Sequence, residues 1–580
     1  LLKQTIAQLF AKFLAEQNIK RVYLMSGGMI TYLIDAIHEL NNTRIVCVHH
    51  EQAAAFAAEA EGRLSDVPGV AIATSGPGAT NLLTGIASCY FDSVPTVFIT
   101  GQVGRNDYRR SAEVRQSGFQ ETNIVDIAKP ITKYCVQAQS YSHAITSLEY
   151  AFKLARCGRP GPVLIDLPTD IQVLTEPDGD MPPSFDNSHS VCISEQDPSI
   201  VKLFSLLLSA KRPLVLIGGG VRTAHCNNLM QILLEALQIP AVCTLMGLDA
   251  LSGNHPLRIG FIGVYGNRWA NWALARADFL LVLGSRLDVR QTGMDIPKFL
   301  DNKTLYRVDC DEGELSGRIK ANYSIAADLS DFLKVAQGFV TDNNISPLPT
   351  EHWKATIRRV QSLSDDVTEI DTNAINPNSF MRDLSVASPF AAAFISDVGN
   401  NQMWAAQSLR TREGQRILNS GGLGAMGYSL PAAIGAAFST GRPVVSISGD
   451  GGLLVNIQEL QTISRNRLPV KIVVLNNHVL GLVRGYQDKF FGGRVVATQW
   501  GYDAPNFVAL ARAFNIPAMC VEANDSVAMG LAELWRDPQS PYLLEVKIPH
   551  DMIVLPNMMF GNSLDEMYPP IDLNVSDDFA

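Results

Sequence analysis

The chain lacks any apolar run of the roughly 18 to 20 residues that a membrane-crossing helix needs, so no membrane partner is expected. Charge is sparse. Asp, Glu, Lys and Arg make up 18% of the 580 residues, and the balance is acidic, with a formal net charge of −10. A nucleic-acid partner calls for basic surface and is not expected. Nine cysteines are scattered singly with no Cys-x-x-Cys pair, which points to reduced thiols rather than a disulfide framework or a zinc site. The opening LLKQTIAQLFAKFLAEQ does not begin with Met and is amphipathic, unlike a signal peptide, so a cytoplasmic location is expected. No short tandem repeat is visible.

What is present is apolar residue in quantity, 47% of the chain, enough for several cores. At ~150 residues per domain the length suggests three or four domains. Two polar, Pro-containing stretches, Glu176 to Ser190 and Thr341 to Thr350, read as linkers. Between them lie buried strand runs such as VAIAT, TVFIT, PVLIDL, PLVLIG, FLLVLG, AAFISD and VVSIS, alternating with helical segments. The expected fold is α/β, with three domains each carrying a mainly parallel sheet flanked by helices, over 1–175, 191–340 and 365–550. A tail, 551–580, is expected to pack over a site or a neighbour.

The most informative local pattern is Gly449-Asp450-Gly451 followed by Asn476-Asn477. Pro443 to Ser448 reads as a strand, Leu453 to Arg467 as a helix and Val470 to Leu475 as the next parallel strand, so Asp450 and Asn477 end neighbouring strands on one side. That side of an open α/β sheet binds ligands, and the glycines let backbone N–H groups approach a phosphate. One carboxylate and one amide oxygen suit Mg²⁺ shared with a substrate phosphate. The plain alternative is two strand-end turns, since both pairs are common in turns. A second candidate is Glu51, at the first turn of an Ala-rich helix in CVHHEQAAAFAAEAEGR, where a glutamate also serves a helix start. It is followed by the glycine turn Thr74 to Asn81 and by Phe119-Gln120-Glu121.

The GDG and NN pair resembles the thiamine diphosphate motif. The segments HHEQAAAFAAEA, SGPGATN, GFQE, TLMGL, GGLGAMGYSLPAAIGA, GDGGLLVNIQEL and LPVKIVVLNN are similar, in order along nearly the whole chain, to acetolactate synthase (acetohydroxyacid synthase) and its relatives. The resemblance implies a pyrimidine-binding domain, a central domain and a diphosphate-binding domain. It also implies a homodimer or homotetramer with active sites between two subunits, Glu51 of one chain meeting the cofactor held by the other. Glu51 would hydrogen-bond the pyrimidine, whose own amino group does the proton transfer at the thiazolium. The Gly424 carbonyl would accept from that amino group and Met426 would wedge between the rings, although core filling is the commoner role of a Met. Asp450, Asn477 and the Val479 carbonyl would ligate Mg²⁺. Gly399, Asn400, Asn401, Gly449, Gly451 and Gly452 would surround the phosphates, with Thr74, Gly76 and Asn81 also on the cofactor.

In the central segment PLVLIGGG is a strand followed by three glycines, a weak dinucleotide signal by itself. The resemblance implies FAD without a redox role, at Arg159, Gly218, Gly219, Gly220, Thr244, Leu245, Met246, Gly284, Arg286, Asp288, Asp309 and Asp328; related enzymes keep ADP or an empty site. Tyr265 stands where the family usually has His. Phe119, Gln120, Lys133 and Arg290 match positions lining the substrate pocket, and a guanidinium at 290 suits a keto-acid carboxylate or a structural ion pair.

Three departures bear on the acceptor. Gly485-Tyr486, preceded by Arg484, replaces the family's Gln-Trp pair; Met29 replaces an Ala; and an insertion carries Arg105, Arg109, Arg110 and Arg115. Basic runs usually form a solvated face, and near a site they also receive phosphorylated ligands. These changes are similar to those of acetolactate synthase-like carboligases of branched-sugar pathways. The expected function is therefore decarboxylation of pyruvate and transfer of its two-carbon unit to a 2-keto acid, or alternatively to a keto-sugar nucleotide. A decarboxylase or hydrolase is a third reading, and a non-catalytic scaffold is disfavoured by the joint presence of Glu51, Asp450 and Asn477.

Overall fold

A computed structural model describes residues 3–108, 113–175, 194–558 and 561–571. The first linker, Arg109, Arg110 and Cys192 lie outside the described residues. The other eight cysteines are free thiols. No helix among the described residues is long and apolar enough to cross a membrane.

Three six-stranded parallel sheets follow one another along the chain. The first holds β1 (Arg21–Leu24), β2 (Arg44–Cys47), β3 (Gly69–Ala73), β4 (Thr96–Gln102), β5 (Tyr134–Gln137) and β6 (Pro162–Pro168), in the order β2-β1-β3-β4-β6-β5. The second holds β7 (Pro213–Ile217), β8 (Ala241–Cys243), β9 (Arg258–Phe261), β10 (Phe279–Leu283), β11 (Thr304–Asp309) and β12 (Tyr323–Ala326), in the order β12-β11-β10-β7-β8-β9. The third holds β13 (Ala393–Ser396), β14 (Arg416–Asn419), β15 (Val444–Gly449), β16 (Val470–Asn476), β17 (Ala518–Val521) and β18 (Tyr542–Lys547), in the order β14-β13-β15-β16-β18-β17. Central strands such as β3, β4, β7 and β10 are buried along their whole length, because helices cover both faces of a parallel sheet.

β15 and β16 are direct neighbours in register from Val444 opposite Val470 to Gly449 opposite Leu475. Their ends therefore deliver Asp450 and Asn477 to one crevice. The single helix expected over Leu453 to Arg467 is instead three pieces: a helix Asp450–Val455, a 3₁₀ turn Ile457–Glu459 and a helix Leu460–Asn466. The break falls at Asn456, which leaves helical geometry at φ −127° while its side-chain amide donates to Gly427 O at 2.8 Å and to Gln52 Oε1 at 3.0 Å. Tertiary hydrogen bonds override helix propensity there.

Thr341 to Thr350 is not a free linker. Leu348 N–H donates to Leu237 O at 3.0 Å and the Thr350 hydroxyl to Gln238 O at 2.6 Å. The helix that follows, Glu351–Leu363, packs Trp353 against Trp272 of the central domain with ring centroids 5.7 Å apart. The tail also returns to the central domain. Met558 N–H donates to Val264 O at 2.7 Å, and Arg268 holds the Met567 and Pro569 carbonyls at 3.3 and 2.7 Å.

The first and third domains meet through helix Glu51–Leu64 lying on helix Ser429–Thr440. A Cβ built on Gly435 would sit 2.0 Å from Ala57 O, so only glycine permits this approach. Gly435→Ala is expected to destabilise the protein by about 1–3 kcal/mol through overpacking. An unchanged thermal midpoint would show that the two helices can part without cost.

Candidate active site

The third domain builds one half of the site at the ends of β13, β15 and β16. Asp450 is 1% exposed, and its Oδ1 accepts from the Gly451 N–H at 2.7 Å. Its Oδ2 is buried with no hydrogen-bond partner, and burial raises its pKa above the ordinary value. Asn477 Oδ1 accepts from the Val479 N–H at 3.3 Å, after a left-handed turn at His478 (φ 56°). The Asn477 and Asn400 side chains both flank Gly481, whose added Cβ would lie 3.2 Å from Asn477 Nδ2 and 2.4 Å from Asn400 Nδ2. Asn401 Oδ1 closes over Gly399 and Gly449, 2.7 and 3.4 Å from where their Cβ atoms would be. Met426 reaches the same place: its Cε lies 3.2 Å from a Cβ built on Gly451. Gly424 precedes it with φ 69° and open space at its Cβ position.

One residue that organises this half went unread in the sequence. Asp397, at the end of β13, is fully buried and accepts from Val398 N–H (2.9 Å), Gly427 N–H (3.0 Å) and Ser429 N–H (2.8 Å). Its backbone carbonyl takes the Asn401 amide at 2.7 Å, and Gly452 fits only because a Cβ there would lie 2.6 Å from Asp397 Oδ1. The carboxylate thus ties the 424–427 loop to the 399–401 and 450–452 turns. Its only sequence signal, an aspartate closing the strand run AAFISD, is common to many turns.

The first domain builds the other half. Glu51 opens its helix behind the N-cap His50, whose Nδ1 accepts from Gln52 N–H at 3.0 Å. Glu51 is buried; Oε2 accepts from Asn81 Nδ2 at 2.9 Å, while among the described residues no hydrogen bond reaches Oε1. Thr74 Oγ1 accepts from Met29 N–H at 3.2 Å, and Gly76 (φ 62°) leaves room for Gln120, itself left-handed at φ 65°. Phe119 stands 79% exposed beside it. No hydrogen bond joins Glu51 to Asp450 or Asn477 within the chain. The residues flanking Glu51 do cross: His49 N–H donates to Glu459 Oε1 at 2.9 Å and Gln52 takes the Asn456 amide.

Lys133, expected to line a substrate pocket, is engaged within the chain. Its Nζ donates to the carbonyls of Leu154, Cys157 and Arg159 at 2.7, 2.6 and 2.7 Å, so the ammonium clamps the turn that carries Arg159. Burial lowers its pKa to about 8.

A separate cavity of about 510 Å³ is walled by all three domains. Every residue singled out for a dinucleotide lines it except Gly218, which sits behind, its Cβ position 2.0 Å from Gly284 O. Arg159 Nη1 bridges Asp311 and Glu314, both at 2.8 Å, and Arg286 reaches Asp288 at 3.5 Å. Tyr265 and Arg290 share the wall, and the Arg290 guanidinium touches Met403 Sδ at 3.7 Å and makes no ion pair among the described residues.

Family models fall on these three domains in order. The thiamine pyrophosphate enzyme N-terminal TPP binding domain matches residues 4–127, the central domain 200–335 and the C-terminal TPP binding domain 397–546. With the two half-sites, this defines the class as a thiamine pyrophosphate enzyme. The acetolactate synthase isozyme 2 large subunit of Escherichia coli (strain K12) is 35% identical over 97% of this chain and 98% of its own length. Acetolactate synthase 2, chloroplastic, of Nicotiana tabacum is 36% identical over 96% of this chain and 83% of its own. The acetolactate synthase large subunit of Lactococcus lactis is 33% identical over 97% and 95%. The chain belongs to the acetolactate synthase family of thiamine diphosphate-dependent enzymes.

Burial pushes the Asp397 pKa up to about 6 despite its three N–H donors. With the folded value above the unfolded one, the stability tied to its protonated form is complete below about pH 4 and lost as pH rises through about 6, on the order of 3 kcal/mol in all. The parent protein is therefore expected to lose stability relative to Asp397→Asn between those pH values. Parallel melting profiles of the two proteins would refute this.

Proposed function

We propose that the protein is a Mg²⁺-dependent and thiamine diphosphate-dependent carboligase that decarboxylates pyruvate and adds the two-carbon unit to a carbonyl acceptor. The observation that carries this is Asp450 Oδ2, a buried carboxylate oxygen left without a donor beside Asn477 and the Gly451-Gly452 turn. An unpaired buried carboxylate is costly, and a hard divalent cation satisfies it. The residues fit the group. Asp450, Asn477 and the Val479 carbonyl would hold the cation, and Gly399, Asn400, Asn401, Gly449, Gly451 and Gly452 the diphosphate. When bound, thiamine diphosphate supplies the electron sink for loss of CO₂ from a 2-keto acid.

The chain's own groups do the rest. Asn81 fixes Glu51 through Oε2 and leaves Oε1 to hold or release a proton at the pyrimidine nitrogen. Gly424 and Met426 set the pyrimidine's position, held by Asp397 through Gly427. Phe119, Leu423 and Met426 supply apolar walls, which favour a step that disperses the charge of a carboxylate. Those same residues are exposed in the single chain, and no hydrogen bond joins Glu51 to Asp450. A homodimer or homotetramer, each site shared by two chains, accounts for both facts. The central cavity has the size and the charged and glycine-lined walls of a cofactor site, and FAD is its proposed occupant. A cytoplasmic location belongs to the same reading.

For the acceptor, Arg290 favours a 2-keto acid. Its guanidinium has no carboxylate partner among the described residues, so it is available to grip one. Two of the arginines that suited a phosphorylated sugar are engaged: Arg105 with Asp170 at 2.7 Å, and Arg484 with Gln499 at 3.1 Å and His550 O at 2.8 Å.

With pyruvate, Mg²⁺, thiamine diphosphate and FAD, NMR of the products is expected to show acetolactate. Product formed only after a 4-keto sugar nucleotide is added would establish the sugar reading instead. Glu51→Gln is expected to slow pyruvate-dependent CO₂ release by about 10²–10⁴-fold with the cofactor still bound. Full activity in that variant would remove Glu51 from the mechanism.

A further inference from the structure

Tyr502 lies in the loop between helices Gly481–Phe490 and Phe507–Ala513, outside every motif read from the sequence. Its ring carries the hydroxyl back over the metal-ligand end of the third domain. A Cβ built on Gly451 would lie 3.1 Å from the Tyr502 hydroxyl, 2.5 Å from Leu480 Cδ2 and 3.2 Å from Met426 Cε, so these three groups form one lid over Gly451. The hydroxyl is turned toward the Asp450 carboxyl. Both the Tyr502 hydroxyl and Asp450 Oδ2 are buried, and among the described residues neither closes a hydrogen bond of normal geometry.

A buried hydroxyl beside a buried carboxylate ordinarily closes a short hydrogen bond with it. Here the donor and the acceptor face one space, near enough to interact electrostatically but without the geometry of a closed hydrogen bond. A single neutral partner such as an apolar packing group would leave both unsatisfied. A cation on Oδ2 with an anionic oxygen, or a cation-bound water, on the hydroxyl satisfies both at once.

We propose that Tyr502 is a further anchor of the cation–diphosphate end of the cofactor, donating its hydroxyl to a phosphate oxygen or to a water on the cation. This rests on the carboligase reading and adds to it a residue that the motif, which ends at Asn477 and Val479, does not contain. Tyr502 acts in binding and takes no part in the proton transfers assigned to Glu51. Removing the hydroxyl should therefore weaken cofactor binding.

The test is titration of cofactor-free parent protein and Tyr502→Phe with thiamine diphosphate at fixed Mg²⁺, and with Mg²⁺ at fixed thiamine diphosphate, followed by tryptophan fluorescence. Y502F is expected to bind about tenfold more weakly in both titrations, the loss of one hydrogen bond to a charged group. Melting of the two cofactor-free proteins is expected to coincide, since the hydroxyl closes no hydrogen bond of normal geometry among the described residues. Equal affinities would overturn the assignment and leave the carboligase reading standing. A parent protein that binds neither ligand would overturn both.

Discussion

The close contact between helix Glu51–Leu64 and helix Ser429–Thr440 sets the geometry on which everything else depends. It is possible because the first helix presents Ala57, fully buried, and the second presents Gly435 against the Ala57 carbonyl. Small residues let two backbones approach closely, and a close approach leaves little freedom of register. At the far end of the same helix Arg63 bridges Glu59 at 2.5 Å and Asp92 at 3.0 Å. Asp92 in turn accepts from the Gly421 and Gly422 N–H groups at 2.9 and 2.7 Å. The loop that carries Gly424 and Met426 is therefore suspended from a carboxylate of the first domain. Glu59 shows the electrostatic strain of this arrangement: burial lifts its pKa to about 7 although Arg63 opposes the rise.

Two anchors thus position the 421–427 loop from opposite sides, Asp92 at its start and Asp397 at its end. Both are buried carboxylates that accept backbone N–H groups, an arrangement that orients a glycine-rich turn without a side chain of its own. Glycine is needed in this turn because Gly424 and Gly427 take φ of 69° and 82°. The loop's freedom is removed by partners elsewhere in the chain, and the space over Gly424 stays open for a ligand.

How much of this was legible follows from which interactions are local. The parallel strands were readable because burial on both faces leaves unbroken apolar runs, and the adjacency of Asp450 and Asn477 followed from one strand–helix–strand unit. The place of Glu51 at a helix start was readable as well. What depends on distant partners was not. The break at Asn456 answers to Gly427 and Gln52, and the role of Asp397 answers to Gly427 and Ser429. Lys133 clamps three carbonyls of a later turn, where matching by motif had set it in a substrate pocket. The helix Glu351–Leu363, amphipathic and preceded by a Pro-containing stretch, gave no sign that Trp353 would complete the central core against Trp272.

The pattern of exposed apolar residues carries the last step. Burying Phe119, Leu423, Met426, Val483 and Tyr486 would be favourable, yet all remain on the surface of the single chain, on the elements that also bear the half-sites. The helix Gly481–Phe490 buries none of its residues, although its apolar and aromatic side chains are those of a packed helix. A chain folded for solitary work would have turned these groups inward or replaced them with polar ones. Their persistence is consistent with the proposed shared site, because the surface that a partner covers is the surface on which substrate must be shielded from water. Under that reading, assembly and catalysis draw on the same apolar patch, so a polar substitution there would weaken both together.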